Sequence, residues 1–350
     1  MSKGTRWVIG FDIGDRRSTA LLLDAQSGDM KELPSVATTR RGVERLFRGL
    51  PAGTRVIVEA GTHAGWIATL GRELGIDVFV ADARRLDAVT KNIRKSDRHD
   101  AEMLARMGAS SMDLLRASFV RDPKLQADLA VVRVRDAMVS TRSQLINAAR
   151  GVAKSLGERL PSCSSAAFAK RVAQDLPPNL AAALGPTLLA IEQITKSIAL
   201  YDAEVERLCA KHTDTNYLRQ VSGVGPLTAL CFVLTIADTK RFRDPRDVGA
   251  HLGLVPRLGQ SGKADPQLRI SRTGDGLLRR LLVQSAHHIL GPFGKDCDLR
   301  TRGLALASRG AKSGKKRAIC ATARKLSVLL FVLWRERAVY QPLRGGPSAA

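Results

Sequence analysis

Four short apolar runs punctuate the first eighty residues, and their spacing constrains the fold more than any other feature of the chain. They are Trp7 to Ile13, Thr19 to Leu23, Val56 to Val58 and Val78 to Val80. The polar turn Asp15-Arg16-Arg17-Ser18 joins the first two, which therefore predict a hairpin. Helices are predicted over Arg41 to Leu50, Trp66 to Leu74 (stopped by Gly75), Ala83 to Lys91 and about Asp97 to Met107. A hairpin followed by strand–helix alternation gives an α/β domain with a mixed sheet.

Acids interrupt this apolar pattern at defined places. Asp12 sits in Gly10-Phe11-Asp12-Ile13-Gly14, and Glu59 directly follows Val56-Ile57-Val58. A carboxylate among strand-forming residues is costly to bury unless a partner or a metal compensates. Asp97 and Asp100 are three apart at a predicted helix start, so they share one face. Asp97 as an N-cap and Asp100 as a helix-dipole residue would explain each one singly. Four hard oxygen ligands together suit Mg²⁺ or Mn²⁺ rather than zinc, and two such ions can clamp the attacking and leaving oxygens of a phosphoryl transfer. His63 and His99 neighbour these acids as supporting or phosphate contacts rather than ligands.

From Lys124 onward the pattern turns helical. One tract runs to about Leu156, where Gly157 and Pro161 break it, and a second runs from Leu184 to Cys209. The second carries the stripe Leu184, Leu188, Ile191, Ile194, Ile198, Tyr201, Val205, Leu208, close to a heptad repeat. An ordinary packed helix, an antiparallel helical hairpin and an intermolecular coiled coil all fit it. The predicted parts are an α/β domain over 1–122, a helical linker over 123–212 and a mainly α domain over 213–345. Val221-Ser222-Gly223-Val224-Gly225-Pro226 reads as a tight helix–turn–helix connection. It resembles a helix-hairpin-helix turn, whose amides face a DNA phosphate, although a plain turn between helices also fits. Gly253 to Gly276 reads as loop, and Arg279 to Leu290 as helix.

Charge narrows the partners. Lys and Arg number 56 against 33 Asp and Glu, a net +23, and a chain this basic is built for a polyanion. Nine basic residues and no acid fall between Arg300 and Lys325, Lys312, Lys315, Lys316 and Arg317 among them, and the run leads into an apolar helix. It therefore lies on a folded face suited to phosphates. Aromatics are only 4%, too few for a stacking platform. Five scattered cysteines without CxxC spacing argue against a disulfide framework or a zinc knuckle. The longest apolar run, Leu326 to Trp334, is short for a bilayer, and Asp12, Asp15 and Arg16 break any leader-like stretch. The reading is a cytoplasmic protein acting at the nucleoid, with no membrane partner.

Asp12, Glu59 and the run Lys95-Ser96-Asp97-Arg98-His99-Asp100-Ala101 together resemble the DEDD, or RuvC-like (RNase H-like), domain of the IS-one-ten family of insertion-sequence transposases. The resemblance continues through Gly223 to Ala229, Gly253-Leu254-Val255-Pro256-Arg257, Gln260-Ser261-Gly262, Arg269-Ile270-Ser271-Arg272-Thr273-Gly274 and Leu277 to Leu282. It implies a recombinase in which Asp12, Glu59, Asp97 and Asp100 hold the divalent ions and Ser261 attacks DNA. It also implies a structured noncoding bridge RNA that pairs with donor and target DNA, and a homodimer or homotetramer. Nucleic acid would meet Gly223, Gly225, Arg257, Lys263, Arg269, Arg272 and Arg279 besides the basic run. Two stretches depart from the family's pattern, Ala60-Gly61-Thr62-His63 and Lys263-Ala264-Asp265-Pro266. Chemistry alone does not single out Ser261 in its loop, and Ser271 is the other serine there. Two other functions compete: a metal-dependent Holliday-junction-type endonuclease with Ser261 structural, and a non-catalytic nucleic-acid binder on an eroded scaffold. The intact acid set argues against the latter.

Overall fold

A computed structural model describes residues 5–82, 96–110, 112, 115–257, 259, 268–309 and 313–343. The predicted helix over Ala83 to Lys91 lies outside them, as do Ser261, Lys263 and Lys312. The chain forms two compact units, Met1–Lys124 and Leu125–Ala350.

The first unit is a mixed sheet with helices. β1 (Trp7–Asp12) runs antiparallel to β2 (Arg17–Asp24), giving the predicted hairpin. β3 (Met30–Glu32) and β4 (Val36–Ala37) both pair with β2. Neither is legible in the sequence, because three and two residues are too short to show a period of two. α1 (Arg40–Arg48) follows, its first turn capped by the Thr39 hydroxyl, which accepts from the Gly42 amide. β5 (Arg55–Glu59) returns beside β1 in parallel, α2 (Ala64–Glu73) crosses over, and β6 (Asp77–Ala81) pairs in parallel with β5. The order β3-β2-β1-β5-β6 puts β1 at the centre. Gly75 has φ of +70°, the left-handed stop predicted for α2.

α3 (Asp97–Ser110) lies directly on the sheet, and two glycines make room for it. A Cβ at Gly10 would fall 1.8 Å from the Ala101 carbonyl oxygen, and one at Gly108 would fall 2.4 Å from Ile57 Cγ1. Gly108 therefore rests over the early part of β1 and β5, and Ala101 over Gly10. Helix and strand run in opposite directions, and the first turn of α3 projects towards the carboxyl ends of β1 and β5.

The second unit is mainly helical among its described residues. α4 (Pro123–Ser155) and α6 (Pro178–Lys211) pair as an antiparallel hairpin, with α5 (Phe168–Gln174) at the far end. Arg135 on α4 bonds Asp202 on α6 at 2.5 Å. Leu184, Leu188, Ile191, Ile198, Val205 and Leu208 of the predicted stripe are buried. Pro178 begins α6 in the first-turn position that proline favours, two turns before the predicted start. Ile146, Phe168, Val172 and Leu180 form a core at the far end. At the near end Leu129, Val132, Val205 and Leu208 join the core of the later helices.

Those helices are α7 (Thr215–Arg219), α8 (Pro226–Ile236), α9 (Arg246–His251), α10 (Gly276–Leu290), α11 (Asp298–Ser308) and α12 (Gly314–Glu336). Every residue of α8 from Thr228 to Ile236 is buried, so it is the centre of this unit. Asp128 on α4 accepts from Lys211 Nζ at 2.7 Å and stands 2.7 Å from His212 Nε2, which fastens the base of the hairpin. No helix among the described residues is long and apolar enough to cross a membrane.

Candidate functional site

Sheet register does most of the work of placing the acids. Phe11 pairs with Val58, so the next step along each strand brings Asp12 beside Glu59 on neighbouring parallel strands, which lie about 4.8 Å apart. Asp12 is half-buried and Glu59 is exposed. Asp97 and Asp100 occupy the first turn of α3, over the same sheet edge. The Ser96 hydroxyl accepts from the His99 amide, so capping falls to Ser96 rather than Asp97. Asp97 is exposed and Asp100 half-buried.

All four donors are carboxylates, which fits a hard divalent cation, and they share one end of the sheet. Among the described residues, however, no three Asp, Glu, His or Cys side chains stand close enough together to hold an ion. Asp97 to Asp100 form the first turn of α3, and the fit rests on donor chemistry and strand position.

Two further residues belong to this edge. Asp82 follows Ala81, which pairs with Glu59, so a third strand also ends at an acid. Its signal was the one that marked Glu59: an acid directly after an apolar strand run. The Trp66 indole N–H donates to His63 Nδ1 at 3.1 Å, and the rings meet edge to face at 6.1 Å. A neutral His63 so held carries its proton on Nε2.

In the second unit the glycine turn joins α7 to α8. Gly223 has φ of +90°, and a Cβ there would lie 2.9 Å from His288 Cδ2, so this side of the turn is pressed onto α10. Gly225 is the extended N-cap residue and Pro226 opens α8, as predicted. Gly225 is exposed, while Val221 and Val224 are buried in the core.

Ser261 and Lys263 fall in a stretch whose two stems are described. The Arg257 amide donates to the Arg269 carbonyl (2.9 Å), and the Ser271 amide donates to the Val255 carbonyl (2.8 Å). This short antiparallel ladder replaces part of the loop predicted over Gly253 to Gly276 and brings residues 257 and 269 together. Behind it the backbone is tightly interlocked. A Cβ at Gly253 would come within 2.3 Å of the Thr273 carbonyl, and one at Gly274 within 2.0 Å of the His251 carbonyl. Arg272 takes φ of +57°, an uncommon conformation for a residue with a side chain. Ser271 hydrogen-bonds Thr273 (3.0 Å), and Asp275 caps α10.

The fold sorts the cations. Arg257, Arg269, Arg272, Lys315, Lys316 and Arg317 are exposed. Arg279 turns inward, where Nη1 donates to the carbonyls of Leu252 (3.1 Å) and Thr273 (2.7 Å), and burial lowers its pKa. Arg300 does likewise, donating to the Ile289 and Gly291 carbonyls (2.6 Å each) at the end of α10. It therefore has an internal structural task that the count of basic residues did not reveal. Lys315, Lys316 and Arg317 stand in the first turn of α12, where the helix dipole disfavours cations. Burial raises the Cys209 and Cys320 thiols and pushes Cys231 up to about 12, so none of these three is a ready thiolate nucleophile.

Comparisons with known proteins fall on both units. A transposase model of the DEDD IS110 type matches residues 9–157. A model described as the transposase IS116/IS110/IS902 family matches residues 215–295. The transposase for insertion sequence element IS1111A of Coxiella burnetii is 28% identical over 304 residues, covering 83% of this chain and 80% of that protein. A probable family 20 transposase of Pseudomonas aeruginosa is 30% identical, covering 76% of this chain and 79% of that protein. The transposase for insertion sequence element IS1328 of Yersinia enterocolitica is 30% identical, covering 66% and 69%.

Proposed function

The chain belongs to the IS116/IS110/IS902 family of insertion-sequence transposases, and on that premise we propose that it cuts and rejoins DNA through a covalent phosphoserine intermediate on Ser261. Asp12, Glu59, Asp97 and Asp100 hold Mg²⁺ or Mn²⁺ in this reading. The observation that supports it most is the register pairing Phe11 with Val58, one step before Asp12 and Glu59, with Ala101 of α3 packed on Gly10. A central strand ending in one acid, beside a parallel strand ending in another, also supports a RuvC-like reading of the first unit.

The chemistry gives each part a reason. A water activated at the carboxylate edge would only hydrolyse DNA. A serine ester retains the phosphodiester energy, so strands can be rejoined without ATP. Bound ions supply positive charge at the phosphate. The Ser261 oxygen would bond to the phosphorus as the 3′ or 5′ P–O bond breaks, the serine proton ending on the released strand hydroxyl; a later strand hydroxyl would attack that phosphorus, break the Ser–O–P bond and give its proton back to the serine. The ladder between residues 255–257 and 269–271 steadies both stems of the Ser261 segment. His63, carrying its proton on Nε2, is a hydrogen-bond donor beside the acids. Gly225, Arg257, Arg269, Arg272, Lys315, Lys316 and Arg317 contact nucleic acid. An element-encoded bridge RNA chooses the target, and the protein acts as a homodimer or homotetramer through the helical hairpin.

Full-length protein is incubated with donor and target DNA, Mg²⁺ and the flanking transcript. A protein–DNA adduct forms with the unaltered chain and not with Ser261→Ala. An adduct that persists in Ser261→Ala overturns the serine assignment. Undiminished cleavage by that variant supports the junction endonuclease instead.

A further inference from the structure

The second unit holds a groove of about 1730 Å³ between the ladder of residues 255–257 and 269–271, α11 and α12. Small-molecule sites run to about 1,000 Å³, so this space suits a polymer. Its walls carry two kinds of surface. One is cationic: besides Arg269, Arg272, Lys316 and Arg317 it presents Arg246, Arg302, Arg309, Arg324 and Lys325. Asp298 is the one acid among its described lining residues. The other surface is aliphatic, formed by Leu299, Leu306, Val328, Leu329 and Val332. Gly249 admits the stem of Arg324, whose Cγ lies 3.0 Å from where a Cβ would stand.

We propose that this groove binds single-stranded DNA, its phosphates on the cationic rim and its sugars and bases on the aliphatic floor. Charge complementarity selects the occupant: a second copy of a +23 chain would add cations to a basic groove. A duplex shows phosphate and sugar outward and hides most base surface, so the floor would lie unused. RNA would bury a 2′-hydroxyl per nucleotide against a floor with few polar partners. Pro256 and Leu268 to Ile270 line the groove and belong to the stems of the Ser261 segment. A strand in the groove would therefore pass both stems of that segment, the one part of the inference that rests on the function proposed above.

The test is fluorescence anisotropy with full-length protein in metal-free buffer, using a 12-mer of dT, a 12-mer of rU and a 12-bp duplex across a salt series. The rim variant Arg302→Ala/Arg309→Ala/Arg324→Ala/Lys325→Ala should flatten the log K against log salt slope for dT by about 0.7 per lost contact, close to 3 in all. The floor variant Leu306→Ser/Val328→Ser should weaken dT about tenfold and leave the duplex unchanged. An unchanged dT affinity in the floor variant, an equal loss for dT and duplex, or rU binding as tightly as dT overturns the proposal. Alkylation of the unaltered chain gives a readout independent of variant folding. Cys320 lines the groove and Cys163 lies by the far end of the hairpin. The dT 12-mer should slow maleimide labelling of Cys320 several-fold with Cys163 unaffected, and equal labelling with and without dT refutes it. Ser261→Ala and Asp12→Asn should bind dT normally. Failure of groove binding with intact adduct formation defeats this inference alone, and loss of the adduct with intact binding defeats only the serine reading.

Discussion

The acids of the first unit and the cations of the second are positioned by different physics. Asp12, Glu59 and Asp82 each end a strand, so hydrogen-bond register brings them to one edge whatever their side chains do. The cations have no such rule. Arg279 and Arg300 satisfy backbone carbonyls inside the unit, while Lys315 and Lys316, in the same basic run as Arg300, face outward. Strand position is therefore a stronger guide than charge density to where a charged side chain lies.

The largest effect should come from the acids. Asp12→Asn or Glu59→Gln should reduce strand exchange by at least about a hundredfold, since even outer partners of a metal site are worth 10- to 100-fold. Melting temperature should stay near that of the unaltered chain. Retained exchange in either variant would break the acidic side of the comparison.

Gly10→Val probes the packing that brings α3 over the acids. Its Cβ would meet the Ala101 backbone at 1.8 Å, so we expect a loss of about 1–3 kcal/mol or more in urea unfolding of the first unit. A neutral outcome would mean that α3 is not seated on β1.

The cations can be split in one experiment. Arg300→Ala should lower stability by about 1.5–3 kcal/mol and leave the salt dependence of DNA binding unchanged. Replacing Lys315, Lys316 and Arg317 with Ala together should flatten that slope by about 0.9 per contact on duplex DNA, at little cost in stability. Reversal of the two results would show that the inward and outward assignments are wrong.

The smallest effect is in acid. Burial raises the Asp128 pKa, but hydrogen bonds from Lys211 and His212 and their charges outweigh it, so it stays below the ordinary carboxylate value. A lowered folded pKa gives stability that is present above the unfolded value and is lost as pH falls through the folded one. Asp128→Asn should reduce the decline in unfolding free energy below about pH 4. An unaltered acid slope would assign that decline to other groups.

Particular residues show what could be read in advance. The β1–β2 hairpin and the long helices were legible because their apolar spacing persists over five residues or more, and β5 and β6 because each carries an unbroken run of three β-favouring apolar residues. β3 and β4 were too short to show any period. Asp82 carries the same signal as Glu59, an acid directly after an apolar strand run. Arg300 could not be distinguished from its neighbours, because its partners are carbonyls of Ile289 and Gly291, about ten residues away along the chain. The stripe on α6 left hairpin and intermolecular coil equally open, and ion pairs such as Arg135–Asp202 come from tertiary packing.

The sequence by itself determined the α/β-then-helical order, the acids at strand ends and the excess of positive charge, since all three depend on local spacing and composition. The tertiary structure decided which acids lie side by side, because parallel pairing joins residues almost fifty positions apart. It also decided which cations remain outside, because a buried carbonyl without a partner is costly and draws an arginine inward.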